Sequence, residues 1–254
     1  MHYTDEQLKT LREAGRRLAK VMREVTDAIE VGTTTRDIED HTRRLISDLG
    51  DRPAFLGYQP TGAPRPFPAA SCTSINEEIV HGIPNERDYT LQSGDIITVD
   101  IGLMHEGMVA DMAHTVVVGE SSEMERLRDV ALAARKKAIA AATVGNTTGD
   151  IGHAVQTFVQ GEGFNVPREL GGHGVGHRVH DEPFVPNVGE PGTGVELTPG
   201  MVLAIEPIVI AGNPAIELLP DGYTYVTKDS SPSAQFEHTV LITESEPEIL
   251  TVAE

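Results

Sequence analysis

Apolar residues in the N-terminal part of the chain recur at helical spacing. Between Leu8 and Ile29 they return every three or four positions, which is the period of one buried face of an α-helix. Thr4 followed by Gln7 matches a capping box, an arrangement that satisfies free N–H groups at a helix start. The pattern predicts a first helix over about residues 5–30 and a second from Thr35 to a cap at Gly50.

A similar pattern returns in the second half of the chain. It predicts a helix starting near Ser122 and another from about Asp150 to Gln160. The segment 31–38, VGTTTRDI, is identical at six of eight positions to the segment 144–151, VGNTTGDI. A chance match would give the same result, as would ordinary capping chemistry before a helix. The flanking helices favour an internal duplication.

Apolar, β-branched segments bounded by turn residues predict the strands of the fold. They alternate with the predicted helices in two similar halves, which indicates a mixed α/β (α+β) fold. The predicted strands are Ile96–Leu103, Met108–Val118, Met201–Ile210, Tyr223–Val226 and Gln235–Thr243.

Composition narrows the class of protein. The chain has 254 residues, of which 39% are hydrophobic, enough for a sizeable core in one domain. We expect no membrane segment, because no apolar run is long enough to span a bilayer. The N-terminus lacks the pattern of a secretory signal, and Cys72 is the single cysteine. Both features favour the reducing cytoplasm.

The formal net charge of -19 argues against binding to nucleic acid, because such a field repels phosphate backbones. The same excess of carboxylates is typical of proteins adapted to a salty cytoplasm, which we treat as a hypothesis.

Residues 95–119, DIITVDIGLMHEGMVADMAHTVVVG, predict a hairpin that turns at Met104–Gly107. Reflection through the centre of that turn places Asp100 directly opposite Asp111, with Cβ atoms about 4.5 to 5.5 Å apart. Two like charges buried together destabilise a sheet unless a cation compensates them. A divalent metal is one explanation; an Asp that faces solvent, or a shared proton, is the other.

The second half of the chain adds further candidate ligands. His173 and His180 lie in a glycine-rich segment, and Glu206 and Glu237 each interrupt an apolar run. Taken singly, such residues are more often core histidines or edge-strand acids. Together with the two aspartates, four carboxylates and one imidazole offer enough oxygen donors for two divalent ions, with Mn, Fe(II) or Co more natural than a structural zinc.

Five motifs stand in the order found in type I methionine aminopeptidases, the pita-bread metallopeptidases of family M24. They are SINEEIVHGIP, the paired Asp100 and Asp111, GGHGVGHRVHDEP, AIEP and FEHT. The resemblance covers nearly the whole chain. It implies a pita-bread fold of two pseudo-symmetric halves, with a curved antiparallel sheet covered by helices, in a single catalytic domain over residues 1–254. Prolidases and aminopeptidases P share part of the set, but SINEEIVHGIP and the short interval from His180 to Glu206 resemble the type I enzymes.

The resemblance also implies roles for individual residues. It gives His81 and His180 contact with the substrate, Glu206 the general base, and Cys72 a place in the methionine pocket. Weaker candidates for that pocket are Tyr58, Phe67 and Tyr223. The residues that match the ligands of two divalent ions (Co, Mn, Fe(II) or Zn) are Asp100, Asp111, His173, Glu206 and Glu237.

The implied activity is removal of the initiator methionine from nascent proteins with a small second residue. Expected partners are nascent N-termini and, transiently, the ribosome, for a monomer in the cytoplasm. The alternatives are an Xaa-Pro peptidase and a non-catalytic binding protein of the same fold. His105, His114 and His177 match no ligand position, and Met112 and Ala204 stand where related enzymes often carry Thr, which makes the pocket shape less certain than the metal set.

Overall fold

The structure is a computed structural model that describes residues 3–252. Within that range it contains four α-helices, close to the four predicted. Gly50 adopts the positive φ of 75° expected of a helix-terminating glycine. The helices are α1 (Asp5–Asp27), α2 (Thr35–Asp48), α3 (Ser122–Ala141) and α4 (Thr148–Gly161).

All strand pairings among the described residues are antiparallel. The first half contributes β1 to β5 and the second half β6 to β14. The strands are β1 (Arg52–Pro53), β2 (Ser71–Ile75), β3 (Glu78–Val80), β4 (Ile96–His105), β5 (Met108–Val117), β6 (Gly171–Gly174), β7 (Asp181–Pro186), β8 (Val202–Ile205), β9 (Ile208–Ile210), β10 (Ile216–Leu218), β11 (Tyr225–Thr227), β12 (Ser233–Gln235), β13 (His238–Leu241) and β14 (Glu248–Ile249).

Each half packs a pair of helices against its own strands. In the first half, Leu18 and Val25 of α1 pack with Ile38 of α2 and with the apolar residues of β4. In the second half, the buried side of α3 and α4 packs on β8, β9, β12 and β13 around Phe236. The helices therefore cover the sheets on one side and leave the other side for the junction between the halves.

The repeated segment has the same local structure in both halves. Thr34 caps α2 and Thr147 caps α4, and each forms a complete capping box with the aspartate three residues later. Each threonine also forms an isolated antiparallel bridge, to Thr90 and to Glu196 respectively. This correspondence supports the internal duplication and agrees with the predicted pseudo-symmetry.

Two predicted strands are wrong in one respect, because each is broken in the middle. Met201–Ile210 divides into β8 and β9, and Gln235–Thr243 divides into β12 and β13. Pro207 has no N–H to donate to a ladder, which accounts for the first break. The register is the same on both sides of the breaks, with Ile205 opposite His238 and Ile208 opposite Gln235. That register sets Glu206 opposite Glu237.

The hairpin of β4 and β5 also differs from the prediction. Asp100 pairs with Ala113 and Asp111 with Gly102, so the two aspartates are diagonal rather than directly opposite. The turn consists of Glu106 and Gly107 alone, both with positive φ, as in the two-residue turns that suit hairpin twist. The register differs from the expected one by two residues, so both aspartates still lie on the same face.

Across residues 3–252, no helix combines the length and apolar character needed to cross a bilayer.

Candidate active site

The five candidate ligands come from separate strands that meet where the halves join. Asp100 lies on β4, Asp111 on β5 and His173 on β6. Glu206 lies in the break between β8 and β9, and Glu237 in the break between β12 and β13. All five line one cavity of about 580 Å³ that opens to solvent.

Asp100 and Asp111 lie within hydrogen-bond reach of one another, whereas His173 is spaced from the carboxylates as if for a shared cation. His173 Nε2 lies 3.6 Å from Glu206 Oε1 and 4.0 Å from Asp111 Oδ2. One donor atom each of Asp111, His173 and Glu237 lie within 4.8 Å of one another. Because metal–ligand bonds to nitrogen and oxygen are about 2.0 to 2.2 Å long, a shared ion fits these separations.

Unsatisfied buried atoms provide an independent test of that fit. Asp100 Oδ1 and Glu237 Oε1 are buried and accept no hydrogen bond from the described residues, although buried acceptors in proteins are nearly always satisfied. His173 Nδ1 lies 3.0 Å from the carbonyl oxygen of Gly174, which can only accept. The ring therefore carries its proton on Nδ1 and presents the lone pair of Nε2 to the carboxylates. The set fits divalent metal.

The pKa shifts of the candidate ligands also favour a metal site. Burial raises the pKa of Asp100 to about 7. Burial and the negative charges of neighbouring carboxylates raise the pKa values of Asp111, Glu206 and Glu237 well above their ordinary range. Burial lowers the pKa of His173 to about 3. Without a cation, the surroundings of these side chains favour their neutral forms. A bound cation would favour the charged form of the carboxylates.

Two further side chains, which the sequence did not single out, hold the ligands in place. Thr239 Oγ1 accepts from the N–H of Asp111 at 2.9 Å and donates to its carbonyl oxygen at 2.8 Å. Gln235 Nε2 donates to Glu206 Oε2 at 2.8 Å. Both lie two residues from Glu237 in an otherwise apolar segment, which is the signal that could have identified them.

His81 and His180 lie beside the ligands. The ring of His180 is 4.4 Å from that of His173 and 6.4 Å from that of His81, measured between centroids. Burial lowers the pKa values of both His81 and His180 to about 4, so both are neutral near pH 7. His81 has a positive φ of 60°, and Thr224 Oγ1 donates to its carbonyl oxygen at 3.3 Å. This strained backbone is held in place by its surroundings.

The rest of the cavity wall is mainly apolar. Cys72 pairs with Asp100 across β2 and β4, and burial followed by the Asp100 charge raises the pKa of its thiol. The thiol therefore stays protonated and acts as a small polarisable surface. Tyr58, Phe67 and Tyr223 also line the wall, as do four residues that no sequence period indicated: Phe55, Pro60, Val80 and Val179.

The three histidines that were set aside lie outside the cavity wall. His105 Nδ1 is 2.7 Å from Asp51 Oδ1, and the ring of His114 packs edge-on against Phe236. His177 stacks on a tyrosine ring near the N-terminus.

Comparison with known proteins gives the same picture over the full chain. Residues 9–244 match metallopeptidase family M24. Methionine aminopeptidase 1 of Bacillus subtilis is 41% identical over 249 residues, covering 98% of this chain and 97% of that protein. Methionine aminopeptidase B of Synechocystis is 40% identical over 248 residues, covering 97% of this chain and 90% of that protein.

Solved structures agree. The methionine aminopeptidase of Thermotoga maritima superposes with a TM-score of 0.94 at 40% identity, covering 100% of this chain and 99% of that one. The enzyme of Rickettsia prowazekii gives a TM-score of 0.94 at 35% identity, with 99% of each chain covered. An X-Pro aminopeptidase of Thermotoga maritima shares the fold alone, at 19% identity and a TM-score of 0.76 over 62% of its length. The chain therefore has the pita-bread fold and belongs to metallopeptidase family M24, among the methionine aminopeptidases.

Proposed function

We propose that this chain hydrolyses the peptide bond that follows an N-terminal methionine, with the help of bound divalent metal. The observation that carries the proposal is the meeting of Asp111, His173 and Glu237 donor atoms within 4.8 Å, at the polar end of a mainly apolar cavity. Such a combination of charged ligands and apolar wall suits a substrate with a charged amine and an apolar side chain.

In this proposal the residues that would hold the metal are Asp100, Asp111, His173, Glu206 and Glu237, and by resemblance Asp111 and Glu237 would be the ligands common to two ions. Ions in such a site polarise a carbonyl group and lower the pKa of water. The oxygen-rich ligand set suits Mn, Fe(II) or Co, and Zn is also compatible. Buried oxygens of Asp100 and Glu237 that lack hydrogen-bond donors support this assignment.

The remaining steps are proton transfers and hydrogen bonds. Glu206, held by Gln235, accepts a proton from the attacking water and passes it to the leaving amine. His81 and His180 are neutral, and His180 can donate its one N–H to the scissile amide as negative charge develops on the amide oxygen. The ring N–H of His81 faces the backbone of Tyr223, so the other ring nitrogen of His81 is the one that can hydrogen-bond the scissile amide, as an acceptor. Their burial excludes bulk water and strengthens those bonds.

The methionine side chain is placed against Cys72, Phe67 and Tyr223. Sulfur and aromatic surfaces of this kind suit a thioether. Tyr58 and Pro60 also line the cavity. We propose that the wall rejects a bulky second residue by steric overlap, which gives the preference for small residues.

Nascent polypeptides carry the initiator methionine and are made in the cytoplasm, so we propose that the chain acts there. All five ligands come from one chain and from both halves, which supports a monomer working as one catalytic domain over residues 1–254. Contact with the ribosome is proposed to be transient, because a net charge of -19 opposes a strong electrostatic contact with RNA.

Two tripeptides test the proposed function. Protein loaded with Mn or Co is incubated with Met-Ala-Ser and with Ala-Pro-Ala, and free amino acids are measured. Release of methionine from Met-Ala-Ser alone is the expected result. Cleavage of Ala-Pro-Ala alone would replace the proposal with an Xaa-Pro peptidase, and cleavage of neither peptide would favour a binding protein.

A further inference from the structure

A second cavity lies on the other side of the strand that follows Glu237. It has a volume of about 950 Å³, is open to solvent, and lies between α3 and the turn before β14. Arg135 and Lys136 contribute its charged wall from α3, and His238 contributes from β13. His238 follows Glu237 directly, but Glu237 lines the first cavity and His238 the second. The two cavities are therefore separated by one strand.

Arg135 is the unusual feature of this cavity. Its Nε and Nη1 atoms are buried and have no hydrogen-bond partner among residues 3–252. The guanidinium lies 5.3 Å from the centre of the Phe236 ring, a cation–π contact that satisfies none of its N–H groups. No carboxylate of residues 3–252 lies within ion-pair distance of it, although the negative charge of Glu237, on the wall of the first cavity, attracts it. The Arg135 side chain is partly exposed, but buried N–H groups without an acceptor are costly and uncommon in proteins.

The surroundings of Arg135 favour an anion. Lys136 adds a second positive charge, while the one carboxylate on the described wall, Glu246, is exposed to solvent. His238 Nδ1 is engaged with Thr251 Oγ1 at 2.8 Å, and that oxygen also accepts from the N–H of Thr239 at 3.2 Å. When the Thr251 hydroxyl donates its hydrogen bond to Nδ1, the neutral His238 ring carries its proton on Nε2. That nitrogen is then a further hydrogen-bond donor.

We propose that this second cavity binds a small tetrahedral oxyanion, phosphate or sulfate, through the N–H groups of Arg135 with support from Lys136. The planar fork of a guanidinium matches two oxygens of such an anion, and the resulting charge-assisted hydrogen bonds are strong.

Thermal unfolding of the metal-loaded protein tests this site. Sodium sulfate and sodium phosphate are titrated in separate arms, each against sodium chloride at equal ionic strength. The wild type is expected to show a saturable rise in melting temperature with either oxyanion, but not with chloride. Sulfate also stabilises proteins by exclusion from their surfaces, but that effect does not saturate and is the same in all variants.

Variants of α3 make the test specific. Arg135→Met should abolish the saturable response. Lys136→Met should weaken the apparent affinity by about tenfold, as expected for loss of one charged contact. Lys137→Met is the matched control, because Lys137 lies over the Phe158 ring at 6.0 Å and outside the cavity; it should respond like the wild type.

Several outcomes would overturn the proposal. A wild type whose melting temperature does not saturate with either oxyanion would show that water alone satisfies Arg135. Equal saturation in the wild type and Arg135→Met would place the anion elsewhere, for instance on the metal ions. If Arg135→Met does not fold, equal affinities of Lys136→Met and Lys137→Met would still contradict the proposal. A response to phosphate but not sulfate would narrow the ligand to phosphate and its esters and would support the site.

Discussion

The four carboxylates of the candidate active site all lie in surroundings that disfavour their charged form. Asp111 and Glu237 are buried, Asp100 and Glu206 are mostly so, and loss of water raises the pKa of each. Only His173 accompanies them within the ligand set, and it is neutral because burial lowers its pKa to about 3. Structural stability alone gives no reason to gather such residues, since apolar side chains of similar size would pack at lower cost. A divalent cation bound among them would explain their presence together.

Substitution of a shared ligand separates metal binding from the other roles. Asp111→Asn or Glu237→Gln is expected to abolish turnover and the uptake of a second ion, because a neutral amide cannot replace the bridging charge. His81→Ala should lower kcat by roughly 10²- to 10³-fold, as for loss of one oxyanion donor, and leave the metal content unchanged. Metal analysis and steady-state kinetics on the same samples measure both. Loss of metal from the His81 variant would contradict the assignment.

His114, a partly buried histidine outside the candidate metal site, predicts how the stability of the protein depends on pH. Burial, followed by repulsion from Arg135, lowers the pKa of His114 from 6.5 to about 4. The unfolded chain therefore binds a proton below pH 6.5 that the folded chain refuses until about pH 4. The contribution of His114 to the free energy of unfolding is therefore fully present above pH 6.5 and is lost as the pH falls toward 4.

Replacement of His114 tests that sign. Between pH 7 and pH 5, the free energy of unfolding of the wild type should fall by about 1 to 2 kcal/mol more than that of His114→Gln. Urea denaturation at the two pH values measures the difference. Parallel losses in both proteins would show that His114 does not contribute.

Helices were the elements best predicted from sequence, and the reason is local. The apolar period and the capping residues of a helix depend only on neighbours within a few positions. Thr34 and Thr147 therefore predict the starts of α2 and α4 from local sequence alone. The five segments predicted as strands all contain strands, but two of them were not predicted to break. Seven further strands were not predicted at all, namely β1, β2, β3, β6, β7, β10 and β14. Pro207 marks the break at Glu206 locally, whereas the break at Glu237 depends on pairing between segments far apart in the chain.

The repeated caps should contribute equally in the two halves. Thr34→Ala and Thr147→Ala are each expected to lower the free energy of unfolding by about 1 kcal/mol, because each removes an N-terminal cap. Thr10→Ala is the control: Thr10 lies within α1, donates only to the carbonyl of Glu6, and alanine is the better helix former. Denaturant titration measures all three. A loss confined to one half would argue that the two segments are not equivalent.

The whole molecule carries a net charge of -19 on 254 residues. Repulsion among so many carboxylates opposes the compact state, and salt screens it over a Debye length of about 10 Å at 0.1 M. The melting temperature of the metal-loaded protein is therefore expected to rise with KCl. Equimolar sucrose, which is uncharged, controls for exclusion effects. A melting temperature that does not change with KCl would rule out salt adaptation.

The register of the β4–β5 hairpin shows which part of the candidate site could be predicted from the sequence and which part could not. The chain order indicated that Asp100 and Asp111 share one sheet face, and the structure agrees. Their pairing was wrong by two residues because Glu106-Gly107 is not among the dipeptides that mark a two-residue turn. The even shift preserved the face, so the metal hypothesis did not depend on the error.

The amino-acid sequence by itself determined the helices, the hairpin, the order of the motifs and the kinds of side chain available for metal and proton chemistry. These properties depend on neighbours within a few residues. Only the tertiary structure decided which polar atoms meet: Gln235 meets Glu206 and Thr239 meets Asp111, while two N–H groups of Arg135 find no hydrogen-bond acceptor among residues 3–252. Such contacts result from the packing of distant segments against one another, for which the chain carries no periodic signal.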